Sequence, residues 1–319
     1  MTPFEVESVD LRRVFAEEIA ESLRRSPRQI SSKYFYDALG SALFDAICQL
    51  PWYRITRAES ALLARHAGEI LTSLAAPLTV AELGCGNGEK LAVLAGAAVA
   101  PFQSIQLVDV SPAALDAARR RLEAMETGTV VLHPATYEEG LARLMRTPRH
   151  GAMLVLFLGS NIGNFEPGPA QELLTRIRRV LRDGDALLLG TDLIKPERDL
   201  LLAYDDPLQV TAAFNRNLLR RINEELGGTF DLDQWAHRAI WNAPCGRVEM
   251  HLVSRSRQEV RVAAADLALR FEAGERIWTE SSYKHDPQAV LDMGRAVGFG
   301  GGRQWIDEGA RFALTHFRV

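Results

Sequence analysis

The chain has 319 residues, 47% of them hydrophobic and 24% charged, enough to bury the core of one large domain or two smaller ones. Its formal net charge of -4 argues against a nucleic-acid partner, and Arg119-Arg120-Arg121 and Arg220-Arg221 read as solvated faces of amphipathic helices. Cys48, Cys85 and Cys245 form no C-x-x-C pair, which argues against a disulfide framework or a thiolate zinc site. The apolar runs around Leu91 to Pro101 and Ala152 to Leu158 are too short to span a bilayer, and no charged-then-apolar leader opens the sequence. The expectation is a cytoplasmic protein, monomeric, with no metal and no membrane partner.

In chain order, apolar residues at Leu11, Val14, Ile19 and Leu23 predict a helix over Asp10 to Arg25. The aromatic-dense Lys33-Tyr34-Phe35-Tyr36-Asp37 follows, then a helix through Leu43 to Leu50, the turn Pro51-Trp52-Tyr53, and a helix from Ala58 to Leu74. Strands are predicted at Leu78 to Leu83, Ser104 to Val110, Thr129 to Leu132, Met153 to Leu158 and Ala186 to Gly190. Helices separate them near Pro112 to Met125, Tyr137 to Met145 and Ala170 to Arg182. This alternation implies an α/β protein with a doubly wound, mostly parallel Rossmann-like sheet, whose ligands bind beyond the carboxyl ends of the strands. After Pro196 the alternation stops. Glu197 to Leu226 reads as one helix, and Arg247 to Val253 with Glu259 to Val262 as a hairpin around Ser254 to Gln258, extended by Leu267 to Phe271. Asp286 to Val297 and Phe312 to Val319 restore a helix and a strand that close the core sheet. The division expected is a cofactor-binding core over 60–195 and 285–319 and a second α+β substrate-binding lobe over 1–59 and 196–284.

Chemistry concentrates first at Glu82-Leu83-Gly84-Cys85-Gly86-Asn87-Gly88-Glu89-Lys90, a strand-to-helix turn where glycines let a bulky ligand lie against the backbone. A dinucleotide fingerprint wants a third glycine where Glu89 stands. Asp109, twenty-one residues beyond Gly88 at a strand end, can accept both hydroxyls of an adenosine ribose, as expected for either adenosylmethionine or NAD. Its competing role is that of an acid ahead of a helix capped by Ser111. Gly159-Ser160-Asn161 is no nucleophile elbow, because Leu158 occupies the first glycine position. His237 and His251 are too far apart for a local metal pair.

Gly84-x-Gly86-x-Gly88 after Glu82 resembles motif I of class I S-adenosylmethionine-dependent methyltransferases. Further stretches resemble one branch of them, the histidine-specific methyltransferases of ergothioneine biosynthesis. These are Lys33 to Asp37, Leu50 to Glu59, Phe157-Leu158-Gly159-Ser160-Asn161-Ile162-Gly163-Asn164, Gly190 to Leu193, Ala203 to Asp206, Ala213 to Asn217, and Thr279-Glu280-Ser281-Ser282. The resemblance implies S-adenosylmethionine as cofactor, S-adenosylhomocysteine as its product, and L-histidine as substrate, methylated on the α-amino group to its trimethyl betaine, hercynine.

Carried over by position, the resemblance implies that Tyr36 lies near the reacting amine and the cofactor, and that Gly84, Lys90 and Asp109 bind the cofactor, with Gly86 and Gly88 completing that turn. Asn164 and Tyr204 would hold the amino acid head, with Gly159 beside them, and Tyr36 and Asn164 would be the residues nearest the chemistry. Tyr53, Glu280 and Ser282 would face the imidazole, and Met250 would wall its pocket. Where members commonly show Gly-Asp-Phe, this chain has Ala135-Thr136-Tyr137, so Thr136 is expected to meet adenine through its hydroxyl while Tyr137 keeps the aromatic. Arg54 replaces a usual second aromatic beside Tyr53. Glu280 and Ser282, alternate residues of an extended segment, point to one side and could hold both imidazole nitrogens. Three other readings stay open: methylation of another aromatic amino acid such as tryptophan, a NAD-dependent oxidoreductase, and a non-catalytic adenosyl-ligand sensor.

Overall fold

The computed structural model describes residues 3–319, with side chains from residue 12 onward, so the expected packing of Leu11 lies outside the described residues. Two compact units are present, one of Met1–Tyr53 and Pro196–Ser282, the other of Arg54–Lys195 and Tyr283–Val319. The first unit opens with α1 (Pro3–Arg24), the short β1 (Arg28–Gln29) and α2 (Ala38–Gln49). The second contains α3 (Ile55–Thr72), β2 (Leu78–Leu83), α4 (Glu89–Gly96), β3 (Phe102–Asp109), α5 (Pro112–Glu123), β4 (Gly128–Pro134), α6 (Tyr137–Arg146), β5 (Ala152–Phe157), α7 (Pro167–Val180) and β6 (Ala186–Asp192). To the first unit also belong α8 (Glu197–Tyr204), α9 (Val210–Leu226), β7 (Trp235–Asn242), β8 (Arg247–Ser254), β9 (Gln258–Val262), β10 (Leu267–Phe271) and β11 (Arg276–Tyr283). The elements α10 (Pro287–Ala296), β12 (Gly301–Asp307) and β13 (Phe312–Arg318) complete the second.

The second unit is the expected doubly wound α/β sheet. Its seven strands run β12-β13-β6-β5-β2-β3-β4, with β2, β3, β4, β5 and β6 parallel and β13 antiparallel to both neighbours. Every residue of β5 and β6 is buried, which is why these strands read as continuous apolar runs rather than alternating ones. On one face, Leu141 of α6, Leu173, Leu174 and Ile177 of α7 and Val290 of α10 pack with Ala81, Val155, Phe157 and Leu189 of the sheet. The strand order reverses between β2 and β5, and the crevice beyond the carboxyl ends of such a pair is where open α/β sheets bind ligands.

The first unit carries a four-stranded sheet, β1-β11-β8-β7, and a separate two-stranded ribbon, β10-β9. The hairpin expected between Arg247–Val253 and Glu259–Val262 does not form. β8 pairs antiparallel with β7, from Trp235↔Ser254 to Asn242↔Arg247, while β9 pairs with β10. β7 escapes sequence reading because seven of its eight residues are only partly buried or exposed, so no alternation marks it. The single helix expected over Glu197 to Leu226 is also two. Pro207 lacks an N–H, Gln209 adopts φ +61°, and Asp206 accepts the N–H groups of Val210 (3.2 Å) and Thr211 (2.8 Å) to start α9 afresh. In the core unit, β12 pairs along its whole length with β13 and was not anticipated, because its first residues, Gly301 and Gly302, carry no strand signal.

Candidate active site

In the second unit the glycine turn follows β2 and leads into α4. Gly84, Gly86 and Gly88 all take left-handed angles, φ +73°, +50° and +74°, which side chains bearing a Cβ rarely adopt. A Cβ on Gly84 would lie 2.9 Å from Asn161 Nδ2 and from the Tyr137 hydroxyl, and one on Gly88 would lie 2.9 Å from the Ala118 Cα of α5. Gly86 faces open space instead. The Asp109 carboxylate accepts the Gly86 N–H (3.2 Å) and the Ser111 N–H (2.9 Å), and Ser111 caps α5 through Ala114. Asp109 thus organises the turn ahead of the capped helix and remains half-buried at the strand end. Burial raises its pKa, and hydrogen bonds from Ser111, Gly86 and Val110 pull it back.

Across the switch point, the loop after β5 contains Gly159 at φ +76° and Ser160 at φ +57°. Glu59, a fully buried acid of α3, accepts the Gly159 N–H at 2.8 and 2.9 Å and pairs with the Lys90 ammonium at 2.6 Å. Gly190 of β6 makes room for this carboxylate, since a Cβ there would lie 1.9 Å from Glu59 Oε1. Ser160 Oγ accepts the Asp192 N–H at 2.9 Å, and the Asp192 carboxylate binds Lys195 (2.5 Å) and the buried Lys284 (2.9 Å). Asn164 ends the short turn of helix that follows and is exposed. Thr136 caps α6 reciprocally with Glu139, and Tyr137 packs edge-on against Phe157 at 5.3 Å. Arg54 donates to the Gly309 carbonyl at 3.3 Å.

Breaking the Glu59 cluster should be costly, because it removes the partner of a charge and of a backbone donor together. Glu59→Ala is expected to lower unfolding free energy by about 3 kcal/mol. Equilibrium denaturation in urea measures it, and an unchanged midpoint would refute the role.

In the first unit, Tyr53, Tyr204 and Ser282 are buried and meet. The Tyr204 hydroxyl lies 2.8 Å from Ser282 Oγ, and the Tyr53 and Tyr204 rings meet edge-on at 6.4 Å. Tyr36 stands edge-on to Phe44 (5.7 Å) and Phe214 (5.9 Å), and Phe44 reaches Tyr53 at 6.3 Å. Burial raises the Tyr53 pKa well above 10, reinforced by Tyr204, Cys48, Tyr36 and Glu280. Glu280 is half-buried on β11, two residues before Ser282, and its carbonyl accepts the Trp278 indole N–H at 2.8 Å. Met250 is buried on β8, next to β11, and its carbonyl accepts from Thr279 Oγ1 at 3.0 Å. Tyr53 from the turn after α2, Tyr204 at the end of α8 and Ser282 of β11, spread over more than 200 positions, thus meet in one cluster, with Glu280 two residues before Ser282 on the same strand.

The sequence profile described as histidine-specific methyltransferase, SAM-dependent, matches residues 15–319. This chain belongs to that family. It is 42% identical over 308 residues to histidine N-alpha-methyltransferase of Mycobacterium tuberculosis (strain CDC 1551 / Oshkosh), covering 93% of this chain and 92% of the relative. It is 40% identical over 315 residues to the protein of the same name from Mycolicibacterium smegmatis, covering 94% and 96%. Ergothioneine biosynthesis protein 1 of Schizosaccharomyces pombe is 29% identical over 286 residues, 85% of this chain and 36% of that longer protein.

A SAM-dependent methyltransferase of this family needs a cradle for the adenosyl group, and the second unit fits one. Three left-handed glycines, open space over Gly86 and the Asp109 carboxylate lie at the adjacent carboxyl ends of β2 and β3. Within this methyltransferase, Glu59 and Asn161 were missed as site-forming residues. Glu59 could have been suspected as an acid on the Ala58, Leu62, Leu63 face of α3. Asn161 gives no comparable signal, since only the fold brings its amide beside Gly84. Phe44 and Phe214, which flank Tyr36, were signalled only by aromatic density.

Glu82, the acid of the glycine motif, is fully buried and one of its oxygens, Oε2, has no partner. Its pKa is raised from 4.5 to about 8 by burial, with Lys90 opposing and Glu59 and Asp109 adding. The folded protein therefore holds a proton that the unfolded chain releases near 4.5. The stabilisation from this group is full below that value and is lost as pH rises towards 8. Glu82→Gln should lose less stability than the parent between pH 5 and pH 8. Denaturation midpoints at the two pH values test this, and parallel losses would refute it.

Proposed function

We propose that this protein transfers methyl groups from S-adenosylmethionine to the α-amino nitrogen of L-histidine, three times, giving hercynine for ergothioneine biosynthesis, as a cytoplasmic monomer. The observation that carries the histidine reading is the buried cluster of Tyr53, Tyr204, Ser282 and neighbouring Glu280. A carboxylate and hydroxyls suit a ring with a nitrogen on each side, whereas indole has a single N–H and would leave acceptors unpaired. Tyr53, Glu280 and Ser282 face the imidazole, with Met250 as an apolar wall. Tyr204 and Asn164 hold the amino acid head, the Asn164 amide donating to the carboxylate and accepting from the amine, with Gly159 beside them.

Gly84, Gly86, Gly88, Lys90 and Asp109 hold the cofactor. Asp109 accepts from the ribose hydroxyls, and Tyr137, whose hydroxyl stands beside Gly84, completes the cofactor site. Thr136 Oγ1 accepts the Glu139 N–H that caps α6, and its hydroxyl hydrogen serves adenine as the donor. When bound, S-adenosylmethionine supplies a methyl group on a sulfonium that a neutral amine displaces in line. The chain's task is alignment and exclusion of water, which can contribute roughly 7 to 11 kcal/mol. The free α-amino group is mostly protonated at neutral pH, so one proton must leave before each attack. Tyr36, in its cage of Phe44 and Phe214, is the residue we place beside the reacting nitrogen, where its hydroxyl oxygen accepts a hydrogen bond from the amine.

Labelled S-adenosylmethionine offered with each common amino acid in turn tests this. Label should pass to histidine alone. Transfer to tryptophan and not histidine, or binding without turnover, would overturn the proposal.

A further inference from the structure

The Tyr204 side chain is held at its hydroxyl by Ser282, and its backbone is held as well. Tyr204 is the last residue of α8, where carbonyls lack partners within the helix. His237 of β7, its side chain 1% exposed, brings Nε2 to 2.8 Å from the Tyr204 carbonyl. The other ring nitrogen, Nδ1, lies 2.9 Å from Asn215 Nδ2. That amide nitrogen also donates to the His251 carbonyl at 3.2 Å, which fixes its orientation. Turned over, Asn215 would set its oxygen against a carbonyl oxygen. Asn215 therefore donates to Nδ1, Nδ1 accepts, and the ring hydrogen sits on Nε2, where the Tyr204 carbonyl at 2.8 Å takes it in preference to the Asp205 carboxylate at 3.9 Å. Burial, the largest influence on this imidazole, disfavours its charged form against the pull of Asp205 and Asp206.

We propose that His237, set in its Nε2–H tautomer by Asn215, is a positioning residue that fixes Tyr204 for the substrate. The inference rests on the reading that Tyr204 grips the amino acid head of histidine. It also gives a role to Asn215, a fully buried asparagine on α9. Because His237 meets Tyr204 through its backbone, the effect is on where the phenol stands, not on its identity.

The test compares His237→Gln with His237→Asn. Glutamine can reach the Tyr204 carbonyl with its amide N–H while accepting from Asn215; asparagine keeps polarity and is too short to span both. The Gln variant should keep the KM for histidine within about threefold of the parent, and the Asn variant should raise it about tenfold, with kcat and S-adenosylhomocysteine affinity nearly unchanged. Asn215→Leu, which leaves the imidazole but releases its tautomer, supplies an arm that does not alter residue 237 and should raise the same KM severalfold. Equal KM values for the Gln and Asn variants, a parental KM for Asn215→Leu, or an equal loss of S-adenosylhomocysteine affinity would overturn the proposal. A parent that leaves histidine unmethylated would instead overturn the reading on which it rests.

Discussion

Glu280→Leu is expected to lower kcat/KM for histidine by about 10²- to 10³-fold while leaving S-adenosylhomocysteine affinity within about threefold. The carboxylate is half-buried on β11 and lies close enough to Tyr53 to raise the pKa of its phenol. A charge-assisted hydrogen bond contributes roughly 1.5 to 3 kcal/mol, and its loss leaves an imidazole N–H without an acceptor in a site lined by buried phenols. Glu280→Gln keeps an acceptor without the charge and should lose only about tenfold. Steady-state kinetics with histidine and calorimetry with S-adenosylhomocysteine separate substrate from cofactor effects. Parental kcat/KM in the Leu variant would remove the main argument for imidazole.

Asp109→Ala should have the complementary effect, weakening S-adenosylhomocysteine binding by about 10²-fold. The carboxylate already binds two backbone donors, Gly86 N–H and Ser111 N–H, so its loss would loosen the glycine turn and, on the proposed assignment, remove the ribose acceptors as well. Asp109→Asn retains one oxygen and should be milder. Because burial raises the Asp109 pKa, cofactor affinity should fall as pH drops through that raised value and recover above it. Calorimetric titration across mildly acidic pH reads both effects, and affinity that ignores the substitution would contradict the assignment.

How much of this was legible beforehand differs between the units. In the second, local signals agree with the fold: the apolar runs of β2, β5 and β6 are buried strands, Ser111-Pro112 caps α5, and Asp109 ends β3. Each depends on neighbours a few residues away, so periodicity and turn chemistry reveal it. The first unit is less legible because its partners are set by distant packing. The polar stretch Ser254 to Gln258 looks like a hairpin turn, yet β8 pairs with β7, whose Trp235 and Ile240 are separated by half-exposed and charged residues. Pro207 did offer a sign that Glu197 to Leu226 breaks into two helices.

The site divides in the same way. The glycine turn can be read from spacing, but the neighbourhood of Tyr53, Tyr204 and Ser282 cannot, since only the folded chain closes those sequence distances. Family resemblance pointed to these residues. It assigned no role to Glu59, which ties Lys90 to Gly159, or to Asn215 behind Tyr204, although both stand in matching stretches, and it did not reach His237. Such supporting residues act through backbone groups, which carry no sequence pattern.

The most direct test of the account is the identity of the product when purified protein, L-histidine and excess S-adenosylmethionine react to completion. Mass spectrometry and proton NMR should find three methyl groups, all on the α-nitrogen, with the imidazole unchanged. Methyl groups on a ring nitrogen, or histidine recovered unmodified, would contradict it.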